Sequence, residues 1–210
     1  MSILERIAQE LEIGEDEEVA TLTQNALNNG IPAREILDNG LLKGMDVVGV
    51  KFKSHEMFLP EVLMAAKAMQ AGMVLLKPLL IEDGEAGRGK VVLGTVNGDL
   101  HDIGKNLVGI MLKGVGYEVI DLGYDVPPEE FVETAKRENS TIIGMSALLT
   151  TTMPAMKQVI GLLKEQGLQG KIKTVIGGAP VSQAYADDIG ADAYAYDGAN
   201  AVVCVEKLMS

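Results

Sequence analysis

An N-terminal four-helix bundle followed by a five-stranded parallel α/β sheet is the architecture that this 210-residue sequence predicts. Three observations point to it. Apolar residues recur every three and four positions through the first ~80 residues, the period of helices with one buried face. A charged, Gly-rich stretch, Glu82-Asp83-Gly84-Glu85-Ala86-Gly87-Arg88-Gly89-Lys90, then interrupts the pattern. Beyond it, short apolar runs alternate with amphipathic ones, as βαβ units require.

In the first module, Ile3, Leu4, Ile7 and Leu11 share a helical face. After Gly14, Val19, Leu22, Thr23, Ala26 and Leu27 repeat the pattern, and Asn28-Asn29-Gly30 supplies a stop signal. Pro32 suits the first turn of a third helix, with Ile36, Leu37, Leu41, Leu42, Met45 and Val48 along one face. Pro60 opens a fourth, carrying Val62, Leu63, Ala66, Met69, Met73, Leu76 and Leu80. Short connections make this an antiparallel bundle over residues 1–83, with 84–89 as linker and an α/β domain over 90–210. Met57, Met64, Met69 and Met73 stand at helical spacing and read as core fillers.

In the second module, strands are expected at 90–96, 117–122, 141–146, 173–176 and 193–196. Helices are expected at 103–112, 128–137, 153–165, 181–189 and 199–208. Five such strands make the flavodoxin-like (Rossmann-type) order 2-1-3-4-5 the default, with a ligand crevice past the carboxyl ends of strands one and three. The loops leaving those ends are 97–104 and 146–152, where the most polar and unusual residues of the module gather.

Charge narrows the function classes. A formal net charge of −12, with lysines and arginines scattered singly, leaves no basic patch for nucleic acid or anionic lipid. The start, Met1-Ser2-Ile3-Leu4-Glu5, is acidic and amphipathic, unlike a signal peptide. No uninterrupted apolar stretch approaches the roughly 20 residues that cross a bilayer. A single cysteine, Cys204, excludes an internal disulfide and a Cys-rich metal site, and within Val202-Val203-Cys204-Val205 it reads as a buried thiol. The expectation is a soluble, cytoplasmic protein with neither nucleic acid nor membrane as partner.

Asp99-Leu100-His101 is the candidate chemistry. A metal-bound imidazole usually donates its second ring N–H to a carboxylate, and residues two apart on an extended loop can make that bond. Thr152, at the end of the strand-three loop, could bond Asp99 in turn. An arbitrary Asp-x-His is more often a helix-capping aspartate beside a histidine satisfied by backbone. Here Gly98 and Gly104 bracket the loop and permit close approach of something large. His55, the other histidine, sits among Lys53, Ser54 and Glu56 and reads as solvent-exposed. With no further His, Cys or carboxylate cluster to complete a zinc site, a lone His101 suits a metal whose equatorial ligands come from a macrocycle.

Asp99-Leu100-His101-Asp102-Ile103-Gly104 resembles the D-x-H-x-x-G signature of cobalamin-binding domains, with Ser146-x-Leu148 and Gly177-Gly178 at the family's spacing. The bundle resembles its counterpart in Gly44-Met45-x-x-Val48-Gly49-x-x-Phe52 and Phe58-Leu59-Pro60-Glu61. The whole chain is similar to the two-domain cobalamin-binding region of methionine synthase. It matches in length the corrinoid proteins of methanol, methylamine, betaine and methoxyaromatic methyltransferase systems.

That resemblance implies a corrinoid (cobalamin or a related cobamide) whose cobalt takes His101 as lower axial ligand, backed by a relay of Asp99 and Thr152. Asp102, Ile103 and Gly104 complete the loop. The displaced nucleotide tail would enter past Ser146, Thr150 and the Gly177-Gly178 turn, where a bulky side chain would fill its slot. Phe52, Leu59 and Val62 match the positions that cap the upper, methyl-bearing face, although from the residues alone they read as core. Asp99 would tune the ligand through its proton count, and no residue would act as acid or base on substrate. The chain would carry a methyl group between a substrate-specific methyltransferase and an acceptor methyltransferase (tetrahydrofolate or a thiol as acceptor), with a reductive activase as possible third partner. The bundle would swing aside on the 84–89 linker for transfer. A B12-dependent sensor and a coenzyme-B12 mutase subunit are the alternatives. Sensors generally add a DNA-binding domain and often a Trp over the upper face, and the sequence contains no Trp.

Overall fold

The computed structural model describes residues 1–82 and 88–209. The expected hinge and linker at 84–89 thus falls outside the described residues, apart from Arg88 and Gly89. The chain divides into two compact units, Met1–Arg88 with Ile110–Tyr117, and Gly89–Gly109 with Glu118–Ser210.

The first unit is helical: α1 (Ile3–Ile13), α2 (Asp16–Asn28), α3 (Ala33–Ile36), α4 (Lys43–Lys53) and α5 (Leu59–Glu82). A capping box starts α1, with the Ser2 hydroxyl accepting from Glu5 N and the Glu5 carboxylate from Ser2 N. The single helix expected after Pro32 is α3 and α4 joined by π-helical turns over Leu37–Leu42. Small residues let it approach α1 closely. A Cβ at Gly40 would lie 3.1 Å from Ile7, and one at Gly44 would lie 2.8 Å from the Ala8 carbonyl oxygen.

The expected buried positions hold at Ile7, Leu11, Val19, Leu22, Ala26, Ile36, Leu41, Met45, Val48, Met69 and Leu76. Two do not. Leu63 is 38% exposed and Met64 is 50% exposed, so Met64 is no core filler. Apolar residues run around most of α5, more than one buried stripe can hold, and the surplus faces outward. Among the described residues, the segment Leu59–Leu80 reaches the length and composition of a bilayer-crossing helix, with mean hydropathy 1.3. It is nonetheless interrupted by Glu61, Lys67 and Lys77.

From Lys90 onward strand and helix alternate, the end of α6 counting with the first unit: β1 (Lys90–Thr95), α6 (Ile103–Gly114), β2 (Glu118–Asp121), α7 (Pro128–Arg137), β3 (Ile142–Ser146), α8 (Pro154–Glu165), β4 (Lys173–Gly177), α9 (Gln183–Ile189), β5 (Ala193–Ala195) and α10 (Gly198–Met209). All strand pairs are parallel and the order is β2-β1-β3-β4-β5, as the sequence predicts. Val92, Ile143 and Ile176 of the sheet are fully buried with Phe131 and Val132 of α7 and Met156 and Val159 of α8. Near-continuous apolar strands of this kind follow from a sheet covered on both faces.

Register sets the site. Thr95 pairs with Ser146, and Ser146 with Gly177, so three strands end level with one another. Val96 N donates to the Ser146 carbonyl (3.0 Å) and Ala147 N to the Gly177 carbonyl (3.2 Å). The loops that follow β1, β3 and β4 therefore leave the sheet side by side. Cys204 is half-buried rather than buried, and burial pushes its thiol pKa upward.

Candidate functional site

The loop after β1 turns at Gly98, whose φ of +83° favours a residue without Cβ. That turn sends Asp99 inward, where it is 0% exposed, and His101 outward, with 52% of its side chain exposed. The Thr95 hydroxyl donates to the His101 carbonyl (3.1 Å) and fixes the loop's far end.

Five donors meet the Asp99 carboxylate. Oδ1 accepts from His101 N (3.1 Å) and from the imidazole Nδ1 (2.7 Å). Oδ2 accepts from Leu148 N (2.7 Å), Leu149 N (3.1 Å) and the Thr152 hydroxyl (2.8 Å). Burial alone would raise the Asp99 pKa, but the hydrogen bonds from His101, Leu148 and Thr152 outweigh it and hold the carboxyl well below the usual range. An ionised carboxylate only accepts, so Nδ1 carries a proton, and in the neutral ring the lone pair then sits on Nε2. Among the described residues no hydrogen bond reaches Nε2. The hydrogen bonds expected between Asp99, His101 and Thr152 are thus present, and they favour Asp99 as a carboxylate that orients the imidazole.

The remaining expected residues fall into three groups. Asp102, Ile103 and Gly104 open α6 beside His101, and Asp102 Oδ2 accepts from Asn106 Nδ2 (3.0 Å). Leu148 and Thr150 are exposed on the β3 loop, and Ser146 is half-buried at its start. Gly177 and Gly178 end β4. Their Cβ atoms would meet the protein's own backbone first, at 2.9 Å from the Ala195 oxygen for Gly177 and 1.9 Å from the Ala147 oxygen for Gly178. With Gly178 at φ +126°, these glycines serve the close packing of neighbouring loops before any ligand slot. Phe52, Leu59 and Val62 belong to the first unit. There Val62 is fully buried, so it is a core residue, while Phe52 is half-buried and Leu59 is 38% exposed.

The residues fit a corrinoid. A half-exposed histidine whose Nδ1 is tied to a buried carboxylate has its other ring nitrogen free of hydrogen bonds among the described residues, as a metal ligand would need. Around it Ile103 is 87% exposed and Leu100 65%, apolar side chains at the mouth of the site. A Cβ at Gly104 would meet nothing within 4 Å, so the protein's own packing does not demand that glycine. The described residues contain no cluster of three His, Cys, Asp or Glu able to hold a bare metal ion. The sequence did not reveal the backbone N–H groups of Leu148 and Leu149 or the Thr95 hydroxyl. Amide donors carry no residue signature.

Comparison with known proteins agrees with this geometry. Residues 89–205 match the B12 binding domain family, and residues 3–77 match a second family, also described as a B12 binding domain. A corrinoid protein of Desulfitobacterium hafniense is 44% identical over 212 residues, covering 100% of this chain and 98% of that one. Dimethylamine corrinoid protein 1 of Methanosarcina acetivorans is 51% identical over 177 residues, 84% of this chain and 83% of that one. Among solved structures, the methanol:cobalamin methyltransferase complex from Methanosarcina barkeri matches with TM-score 0.85 and 34% identity, covering 99% of this chain and 79% of that one. With His101, Asp99 and Thr152 placed as described, the chain belongs to the B12-binding family of corrinoid proteins.

Proposed function

We propose that this protein is a methyl carrier that works between methyltransferases, with a corrinoid held through His101. The observation that carries the proposal is the outward Nε2 of an imidazole whose other nitrogen lies 2.7 Å from a fully buried carboxylate. When bound, a corrinoid supplies a cobalt centre that accepts and releases a methyl group. The protein's part is to hold and orient. His101 would hold the group through its free ring nitrogen, Asp99 would keep a proton on Nδ1, and Thr152 with the Leu148 and Leu149 amides would hold Asp99 still. Leu100 and Ile103 give the ligand apolar surface.

The chain displays no nucleophile–base pair at this site, so donor activation belongs to a substrate-specific methyltransferase. A second methyltransferase passes the group to an acceptor such as tetrahydrofolate or a thiol, and a reductive activase recovers inactivated carrier. Relatives named for dimethylamine make methylamines the first donor class to test. We place the protein in the cytoplasm, consistent with its single cysteine.

The test is the visible spectrum of the full chain loaded with methylcobalamin, beside His101→Ala. The proposal expects a bound corrinoid with a histidine-ligated spectrum that reverts to a ligand-free form in the variant. A wild-type chain that fails to retain corrinoid, or a variant with an unchanged spectrum, would refute it.

A further inference from the structure

We infer that the turn Asp121–Asp125 after β2 is a two-jawed clamp that positions the histidine-bearing loop. It deepens the carrier reading and rests on His101 being the axial ligand.

The first jaw is Asp121, the last residue of β2. Its oxygens accept from Lys105 Nζ at 2.5 and 2.7 Å, and Oδ1 also accepts from Gly123 N (2.9 Å). Lys105 lies in the first turn of α6, only 2% exposed. Two penalties oppose it there. Burying an ammonium is costly without a partner, and the positive end of the helix dipole disfavours a cation. Its contacts show what offsets them. Besides Asp121, Nζ donates to Asn106 Oδ1 (2.7 Å), and Asn106 Nδ2 reaches Asp102, the residue next to His101.

The second jaw is Asp125, which has a left-handed φ of +55°. Its Oδ1 accepts from Gly98 N (2.7 Å) and Asn97 Nδ2 (2.9 Å), and its own N donates to the Asp99 carbonyl (3.0 Å). One short turn therefore grips the loop on both sides of His101, at 97–99 and at 102–106. Neither carboxylate touches the imidazole. Both act by fixing the backbone that sets where the imidazole sits, which makes Asp121, Asp125 and Lys105 positioning residues.

Asp125→Gly is the deciding variant, because glycine accepts the left-handed conformation while losing the carboxylate. The readouts are the histidine-on to histidine-off ratio in the visible spectrum of the methylcobalamin-loaded full chain, and the corrinoid dissociation constant. Asp125→Gly is expected to lower the histidine-on ratio by about tenfold, the scale of outer-shell losses at metal sites. Asp125→Asn keeps an acceptor at Oδ1 and tolerates φ above zero, so it should restore the wild-type ratio. Lys105→Met, which cuts the other jaw, should shift the ratio the same way as Asp125→Gly.

In a His101→Ala background, Asp125→Gly should no longer change corrinoid affinity. An unchanged ratio in both Asp125→Gly and Lys105→Met would overturn the clamp. So would an equal loss of affinity with and without His101, which would mark a structural role only. If wild-type chain retains corrinoid and His101→Ala shifts its spectrum, the carrier reading stands whatever the clamp variants do. If wild-type chain retains none, both fall together.

Discussion

Replacing Asp99 with asparagine changes one atom and tests the logic of the relay. The carboxylate oxygens face donors only: His101 N and Nδ1 on Oδ1, and Leu148 N, Leu149 N and the Thr152 hydroxyl on Oδ2. An asparagine must turn its amide NH2 toward one of those sets. Facing Leu148 and Leu149, it would set donor against donor and leave two backbone N–H groups without an acceptor beside a fully buried side chain. At roughly 1–3 kcal/mol for each buried group left unpaired, that orientation costs about 2–6 kcal/mol.

The cheaper orientation keeps the carbonyl on the Leu148 side and turns the NH2 toward His101. There it can donate only to a bare Nδ1, which drives the ring proton to Nε2, the atom proposed to bind cobalt. Asp99→Asn should therefore fold, lose about 1–3 kcal/mol from the opposed His101 N–H, and weaken axial ligation by about 10- to 100-fold. Thermal denaturation measures the first quantity. The histidine-on fraction in the visible spectrum of the loaded chain measures the second. A variant that stays fully histidine-on, with corrinoid affinity within about twofold of wild type, would refute the assignment of the Nδ1 proton to Asp99.

Three further outcomes follow from other contacts. Thr152→Ser keeps the hydroxyl on Asp99 Oδ2 and should match wild type spectroscopically, whereas Thr152→Val should lower the histidine-on fraction and destabilise by about 1–2 kcal/mol in thermal melts. Gly178→Ala would place a Cβ 1.9 Å from the Ala147 oxygen at φ +126°, so a loss of at least ~2 kcal/mol in denaturant unfolding is expected with or without corrinoid. Thr23 is fully buried with a hydroxyl that meets no partner, so Thr23→Val should raise stability by about 1 kcal/mol, read as an increase in Tm.

The parts of this structure that were legible in the sequence are those where a side chain announces its own environment. Strand order followed from five apolar runs separated by helical ones, and β1 through β5 fall within one or two residues of expectation. Asp99, His101 and Thr152 were legible because acid, imidazole and hydroxyl stand at the ends of two loops that a parallel sheet brings together. Less visible were features set by backbone or by tertiary surplus. The π-helical turns at Leu37–Leu42 leave no compositional trace beyond Gly40. Met64 and Leu63 match the helical period yet face outward, because α5 is apolar on more sides than its neighbours cover. Val62 was assigned to a ligand by spacing and lies in the core. Lys105 did carry a signal, a cation in the first turn of a helix where the dipole disfavours one, and a local rule broken in that way marks a partner to be sought.

Rigidity and availability are divided sharply across the two ring nitrogens of His101. On the Nδ1 side everything is satisfied: Asp99 is buried, five donors meet it, and two of them come from the backbone of a neighbouring loop held in register by β3. On the Nε2 side no hydrogen bond is made among the described residues, and Leu100 and Ile103, on either side of His101 in the chain, are exposed. A histidine serving only the fold would have no use for that asymmetry, since a single backbone carbonyl would orient it as well. Burying a carboxylate behind the ring is worth its desolvation cost if the opposite nitrogen is to hold one position for the proposed metal. The same reasoning explains why the anchoring donors are mostly main-chain. Backbone N–H groups in the loop just past a central strand cannot swing away as a side chain can, so they would keep the imidazole aimed toward a bound group.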